Sequence, residues 1–194
     1  MKRSVLFGSL LALALAGCSS LIPPVTVSDP LALNGKLVTL SASAAVASVG
    51  SQATQSGAIS ATFADISLSS LPLSPSKFSV CYDFTVTLNA PVSGTINLSN
   101  IKLNVSVNDG TNGPANLAAT ASSLTLSGTG STVTASGKNL CGNIDNVGKM
   151  ISVISQPPTP NTVTGTFSLD TDVPLPTGSS LTITFSNGQG TISL

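Results

Sequence analysis

The sequence predicts an all-β chain folded as an antiparallel β-sandwich, and three observations carry that expectation. Apolar and hydroxyl-bearing residues alternate with a period of two over many short runs, the pattern of strands with one buried and one wet face. Those runs are rich in valine, leucine, threonine and serine, residues that suit a pleated, half-buried surface. Clusters of Gly, Pro, Asn and Asp bound them, so the strands are short and closely spaced, as in a two-layer β fold. The layers are connected either as a Greek key or as two related halves.

In chain order, strands are expected over residues 36–42, 58–68, 77–88, 95–98, 101–107, 123–126, 131–135, 162–169, 180–186 and 191–194. Ile101, Leu103, Val105 and Val107 fall on one face, with Lys102, Asn104 and Ser106 on the other, which is the alternation of a half-buried antiparallel strand. Asn187-Gly188 separates the last two runs and permits the positive φ of a hairpin turn, although Gln189 and Gly190 suggest a longer loop or a bulge. Gly128-Thr129-Gly130 reads as another hairpin turn. At most one short helix is expected, near residues 144–155, where Ile144, Val147, Ile151 and Ile154 stand at helical spacing. Asn143 or Asp145 would cap it and Pro157-Pro158 would stop it. Phe84 to Pro91 and Phe167 to Pro174 share a seven-residue offset, each followed by a glycine, Gly94 or Gly178. A single continuous sandwich is preferred over two half-domains on so sparse a match.

Met1, Lys2 and Arg3 form a positive start, followed by an apolar run from Ser4 to Ala16 that is too short for a membrane span with these flanks. The run ends at Leu15-Ala16-Gly17-Cys18, which resembles the lipobox of bacterial lipoproteins. The resemblance covers only this export signal. It implies that residues 1–17 are a signal peptide and that Cys18 becomes the new N-terminus, carrying a thioether-linked diacylglyceryl group and often an N-acyl chain such as palmitate. Two or more chains make a stable anchor where one would be marginal. Ser19 stands where an aspartate commonly retains such proteins in the inner membrane. The implied location is therefore the cell envelope, in the outer membrane of a cell that has one and otherwise on the outer face of the plasma membrane. Residues 18–34 include Pro23, Pro24 and Pro30 and read as the lipidated N-terminus and a flexible tether, Val25 and Val27 being the alternative start of an edge strand. Residues 35–194 then form the β-sandwich domain.

After residue 17 the charged side chains are five lysines and seven aspartates, a net charge of −2. That field is too weak to steer a polyelectrolyte. The same segment has no arginine, histidine, tryptophan or glutamate, so nucleic acid is not an expected partner. In an exported chain the thiols of Cys81 and Cys141 tend to oxidise. A disulfide between them is expected, two buried free thiols being the alternative. Without histidine, two sulfurs do not fill a tetrahedral metal shell, and neither a metal nor a cofactor is expected.

Catalysis finds few candidates. Ser74-Pro75-Ser76-Lys77 matches S-x-x-K in form, but Pro75 and the alternating Phe78, Val80 and Tyr82 argue against the helical turn that pairing needs. Asp170 and Asp172 are the one close acidic pair, suited to glycoside chemistry or Ca²⁺ ligation, though a solvated turn before Pro174 fits better. Asp109-Gly110 with Asn112-Gly113-Pro114 likewise reads as a turn. Tyr82 is the single tyrosine, a poor supply for sugar stacking, and Phe63, Phe78, Phe84, Phe167 and Phe185 lie in strand patterns as core residues. The expected function is therefore non-catalytic: a membrane-anchored structural or interaction module whose partner is an envelope protein or a cell-wall component. The alternatives are a carrier for a lipid or another apolar small molecule, and then a hydrolase with an unusual Ser-Lys or Asp-Asp site.

Overall fold

Alternation becomes strand through most of the chain in the computed structural model, which describes residues 23–41, 53–66, 75–156, 160–175 and 178–194. Among these residues the order is β1 (Val25–Ser28), β2 (Leu37–Ser41), β3 (Ala53–Phe63), β4 (Lys77–Asn108), β5 (Ala115–Thr120), β6 (Leu124–Ile144), α1 (Val147–Ser155), β7 (Asn161–Thr171) and β8 (Ser180–Ser193). Among the described residues the fold is all-β with one short helix, and every pairing between these named strands is antiparallel.

β4 organises the rest. At about 3.4 Å per residue its 32 residues would run roughly 110 Å if straight, far beyond the width of a domain of this size, so the strand must bend. It bends between residues 90 and 97, beside Pro91. There Gly94 (φ 122°) pairs with Gly128 (φ 155°), and Val92 pairs with Gly130 (φ 151°). Side-chain-bearing residues rarely adopt such φ values, so these glycines let the two-stranded ribbon fold over.

The bend divides β4 between two layers. Residues 77–89 pair with β8 on one side and with β6 on the other, while residues 98–108 pair with β7 and β5. β1 and β2 lie one after the other along the far edge of β8, and β3 lies along the far edge of β7. β5 also pairs with the end of β6, which joins the layers on one side. On the other side β2 and β3 approach without a ladder. Gly57 makes this possible, because a Cβ there would lie 2.7 Å from Leu40 Cδ2 and from the Thr39 carbonyl oxygen. Among the described residues the sheet is thus folded over but not closed into a barrel.

The inward positions form one continuous core. Phe167 of β7 spans it, with its ring centroid 6.1 Å from Phe84 of β4 and 5.8 Å from Phe185 of β8. All three rings are essentially inaccessible to solvent. Burying each such side chain is worth about 1.5–3 kcal/mol, so these rings tie the layers together.

Several local expectations change. The runs at 77–88, 95–98 and 101–107 are one bent strand, and those at 123–126 and 131–135 are another. Gly128-Thr129-Gly130 lies in that second bend and does not reverse the chain. Neither does Asn187-Gly188: β8 continues to Ser193, and between Cys81/Gln189 and Asp83/Ser186 it carries one more residue than β4. Asn187 has the positive φ (52°) that the sequence suggested, but a bulge uses it. Of the Phe–Pro–Gly offsets, Pro91 and Gly94 stand at the β4 bend while Pro174 and Gly178 stand between β7 and β8, and the described strands on both sides belong to one sheet. The chain joins the sheet at Val25, inside the stretch read as tether. The helix begins at Val147 with Asn146 as its cap, accepting from the Lys149 N–H at 2.9 Å, and it buries Met150, Val153 and Ile154. Ile144 belongs to β6. Pro157 and Pro158 lie outside the described residues.

Candidate functional site

Cys18 lies outside the described residues. Cys81 and Cys141 stand directly opposite each other on β4 and β6 and form the expected disulfide, with S–S 2.08 Å and Cα–Cα 4.2 Å. Their neighbours Val80, Tyr82 and Leu140 point inward, so strand parity puts the bond on the outer face of the sheet.

Next to the disulfide, Asp83 sits opposite two bulges. β6 carries an extra residue near Asn139 (φ 58°), and β8 carries one near Asn187. The Asp83 carboxylate accepts from the Asn139 N–H at 3.4 Å and from Asn187 Nδ2 at 3.0 Å, linking both bulges to the central strand. Inward of it, the Tyr82 hydroxyl donates to Asp29 Oδ1 at 2.8 Å and accepts from the Leu31 N–H at 3.2 Å. Asp29 also accepts from the Leu33 N–H (2.9 Å) and the Asn34 N–H (3.2 Å to Oδ2). One carboxylate therefore closes the loop between β1 and β2 over the core. Burial, and then the negative charge of Asp29, hold the Tyr82 phenol far above its ordinary pKa. Tyr82 is a structural clasp here; at 1 % exposure it is no stacking platform for a sugar.

The acidic pair is brought into one neighbourhood, but its oxygens already have partners. Asp170 accepts from Thr54 Oγ1 (2.6 Å) and Asn100 Nδ2 (2.7 Å), and these bonds, aided by Lys102, hold its carboxyl below the usual range. Asp172 accepts from the Asn97 N–H (2.8 Å) and Nδ2 (2.7 Å). The two carboxylates stitch β3 and the β4 bend to the end of β7, which is a structural use. Asp109 closes the turn from β4 to β5 by accepting from the Thr111 and Asn112 N–H groups and from Asn112 Nδ2, which lowers its pKa. Lys77 opens β4 as an exposed strand residue, so it is not in the helical turn an S-x-x-K site requires. Ser74 is outside the described residues. Among the described residues, no group of three or more Cys or Asp side chains is placed to hold a metal ion.

One depression lies on the outer face of the second layer, a shallow trough of about 390 Å³. Asn104, Asn116, Asn143 and Asp145 contribute polar groups, above small residues such as Ala118 and Gly165. Asn116 donates to Asp145 from both its N–H (2.7 Å) and its Nδ2 (2.8 Å), lowering the Asp145 pKa, while Ser79 donates to Asn143 Oδ1 at 2.8 Å. Such a rim offers hydrogen bonds to a neutral polar ligand. It pairs no nucleophile with a base, which covalent catalysis requires. Neither the trough nor the clasp was foreseen: Asp29, Asn116 and Asp145 carry no local motif, and their partners are distant in sequence. Compared with protein-family models, with curated proteins and with solved structures, this chain finds no match.

Proposed function

We propose that the chain is a lipid-anchored envelope protein whose β domain works without catalysis, as an interaction module held at a membrane surface. The observation that carries the reading is Leu15-Ala16-Gly17-Cys18 after a short apolar run. It makes Cys18 the lipidated residue, in an outer membrane where the cell has one. Anchoring would confine the domain near its partners and raise their effective concentration without any new contact. Support from the domain side is chemical. The carboxylates of Asp29, Asp83, Asp109, Asp145, Asp170 and Asp172 all accept hydrogen bonds that hold loops, bulges and bends, a stabilising use of the groups a hydrolase would deploy. The cross-strand disulfide suits an oxidising compartment. Metabolic labelling with a palmitate analogue tests the anchor: wild type should take up label and Cys18→Ala should not. An unlabelled wild-type chain refutes the reading.

A further inference from the structure

The outer face of the first layer carries a register that the proposed function does not use. Thr39 of β2 is opposite Thr182 of β8, Thr182 is opposite Thr87 of β4, and Thr87 is opposite Thr134 of β6. Four threonines thus form a straight row across four strands. Their sequence neighbours Val38, Leu40, Leu181, Ile183, Val86, Leu88 and Val133 are buried, so the row faces outward. On one side runs a second row, Thr184, Thr85 and Ser136; on the other a third, Ser180, Asn89 and Thr132. With strands about 4.8 Å apart and like-facing residues about 6.8 Å apart, the rows form a grid about 14 Å on each side.

Every side chain in these rows is short, uncharged and able to donate and accept hydrogen bonds. Among the described residues the hydroxyls of Thr87, Thr134, Thr182 and Thr184 take no protein partner, and the two contacts inside the grid are long: Thr85 to Ser136 at 3.4 Å and Thr132 to Asn89 at 3.5 Å. The grid therefore presents unused hydrogen-bonding capacity. Its neutrality gives a polyelectrolyte no attraction. It also lacks the aromatic and arginine anchors that carry protein interfaces; the exposed Leu37 lies at its margin, opposite Thr184. A flat, neutral partner with closely spaced hydroxyls and intervening C–H surface complements threonine, which offers a hydroxyl and a methyl side by side.

From this register and its lack of charge we propose that the outer face of β2, β8, β4 and β6 binds a neutral polysaccharide, laid across the threonine rows. This deepens, and rests on, the reading of the domain as an interaction module by giving its partner a chemical class. The test is cosedimentation of the full chain, kept soluble in mild detergent, with cellulose and with chitin particles. Thr87→Lys and Thr182→Lys each place a long charged side chain in the central row, and Ser56→Lys places one on the outer face of the other layer, away from the trough. Circular dichroism confirms that each variant folds, and Thr134→Lys substitutes for either grid variant that does not. Wild type and Ser56→Lys should bind at least one polymer. The grid variants should bind about tenfold more weakly, the loss expected when one or two hydrogen bonds are displaced. The inference is overturned by no binding to either polymer, by equal weakening in Ser56→Lys, or by retention on ice in a freezing-partition assay without polysaccharide binding. A chain that takes up palmitate yet binds no polymer refutes this inference and leaves the anchor standing.

Discussion

Replacing Tyr82 with phenylalanine isolates the clasp that seats the β1–β2 loop. The substitution keeps the ring, packed edge-on against Phe185 at 6.0 Å, and removes only the hydroxyl. Two interactions go with it: the 2.8 Å bond to the Asp29 carboxylate and the 3.2 Å bond from the Leu31 N–H. A hydrogen bond to a charged group contributes about 1.5–3 kcal/mol net, and a buried donor left without a partner costs about 1–3 kcal/mol. Leu31 is fully buried, so its N–H has no ready access to water. Partial relaxation of the loop lowers the total, and the expected loss is about 2–4 kcal/mol, a large share of the ~5–15 kcal/mol that holds a typical domain. Urea denaturation followed by circular dichroism should show an earlier midpoint with an unchanged slope, the mark of lost stability without a change in exposed surface. Asp29→Asn and the double substitution complete a cycle whose coupling should exceed about 1 kcal/mol, because the two side chains touch. A loss below about 0.5 kcal/mol for Tyr82→Phe would show that the Tyr82 hydroxyl does not hold the loop closed.

Two further outcomes follow from groups outside that clasp. Reducing Cys81–Cys141, or replacing both cysteines with serine, releases a loop spanning a sequence separation of 60 and should cost about 4 kcal/mol in the chain-entropy model. An unchanged urea midpoint after reduction, with free thiols verified by mass, would contradict it. Acid should destabilise the fold through Asp109, Asp145 and Asp170, whose folded pKa values are lowered by hydrogen bonds from Asn112, Asn116 and Thr54 respectively. The folded chain binds fewer protons than the unfolded chain in this range, so their contribution is complete above the unfolded carboxylate value near 3.8 and is lost as pH falls through the lower folded values. Asn116→Ala should flatten that acid dependence in urea titrations, modestly because Asp145 is solvent-screened. The backbone N–H bond to Asp145 survives this substitution, so a slope identical to wild type would remove the Asn116 side-chain amide as a cause.

How much could be read in advance depended on the range of the interaction involved. The inward and outward faces of β4 and β7 follow from period-two alternation, a property of neighbouring residues, and they stand as expected. β5 carries three alanines in Ala115–Thr120 and gives little strand signal of its own; it is a strand because β4 and β6 supply ladders on both sides. Asn187-Gly188 offers positive φ, which a turn and a bulge use equally well. The choice fell to the bulge because β4 stays paired beyond it, at Lys77 to Cys81. The helix was legible from its spacing, but its cap was not, because β6 holds Ile144 within the strand.

By itself the sequence determined the fold class, the inward phenylalanines, the cysteine pair available for a disulfide and the weak charge of the domain, since composition and local periodicity are enough to set these. It also supplied the only motif that bears on location, ending at Cys18. Tertiary structure decided where the long strands bend, that Asp29 reaches Tyr82, that the acidic pair acts as a stitch, and that threonines from four separate strands share one row. Each of these depends on strand register between residues tens of positions apart. A register is fixed only when the whole sheet buries its apolar face at once, so no local stretch of the chain can specify it.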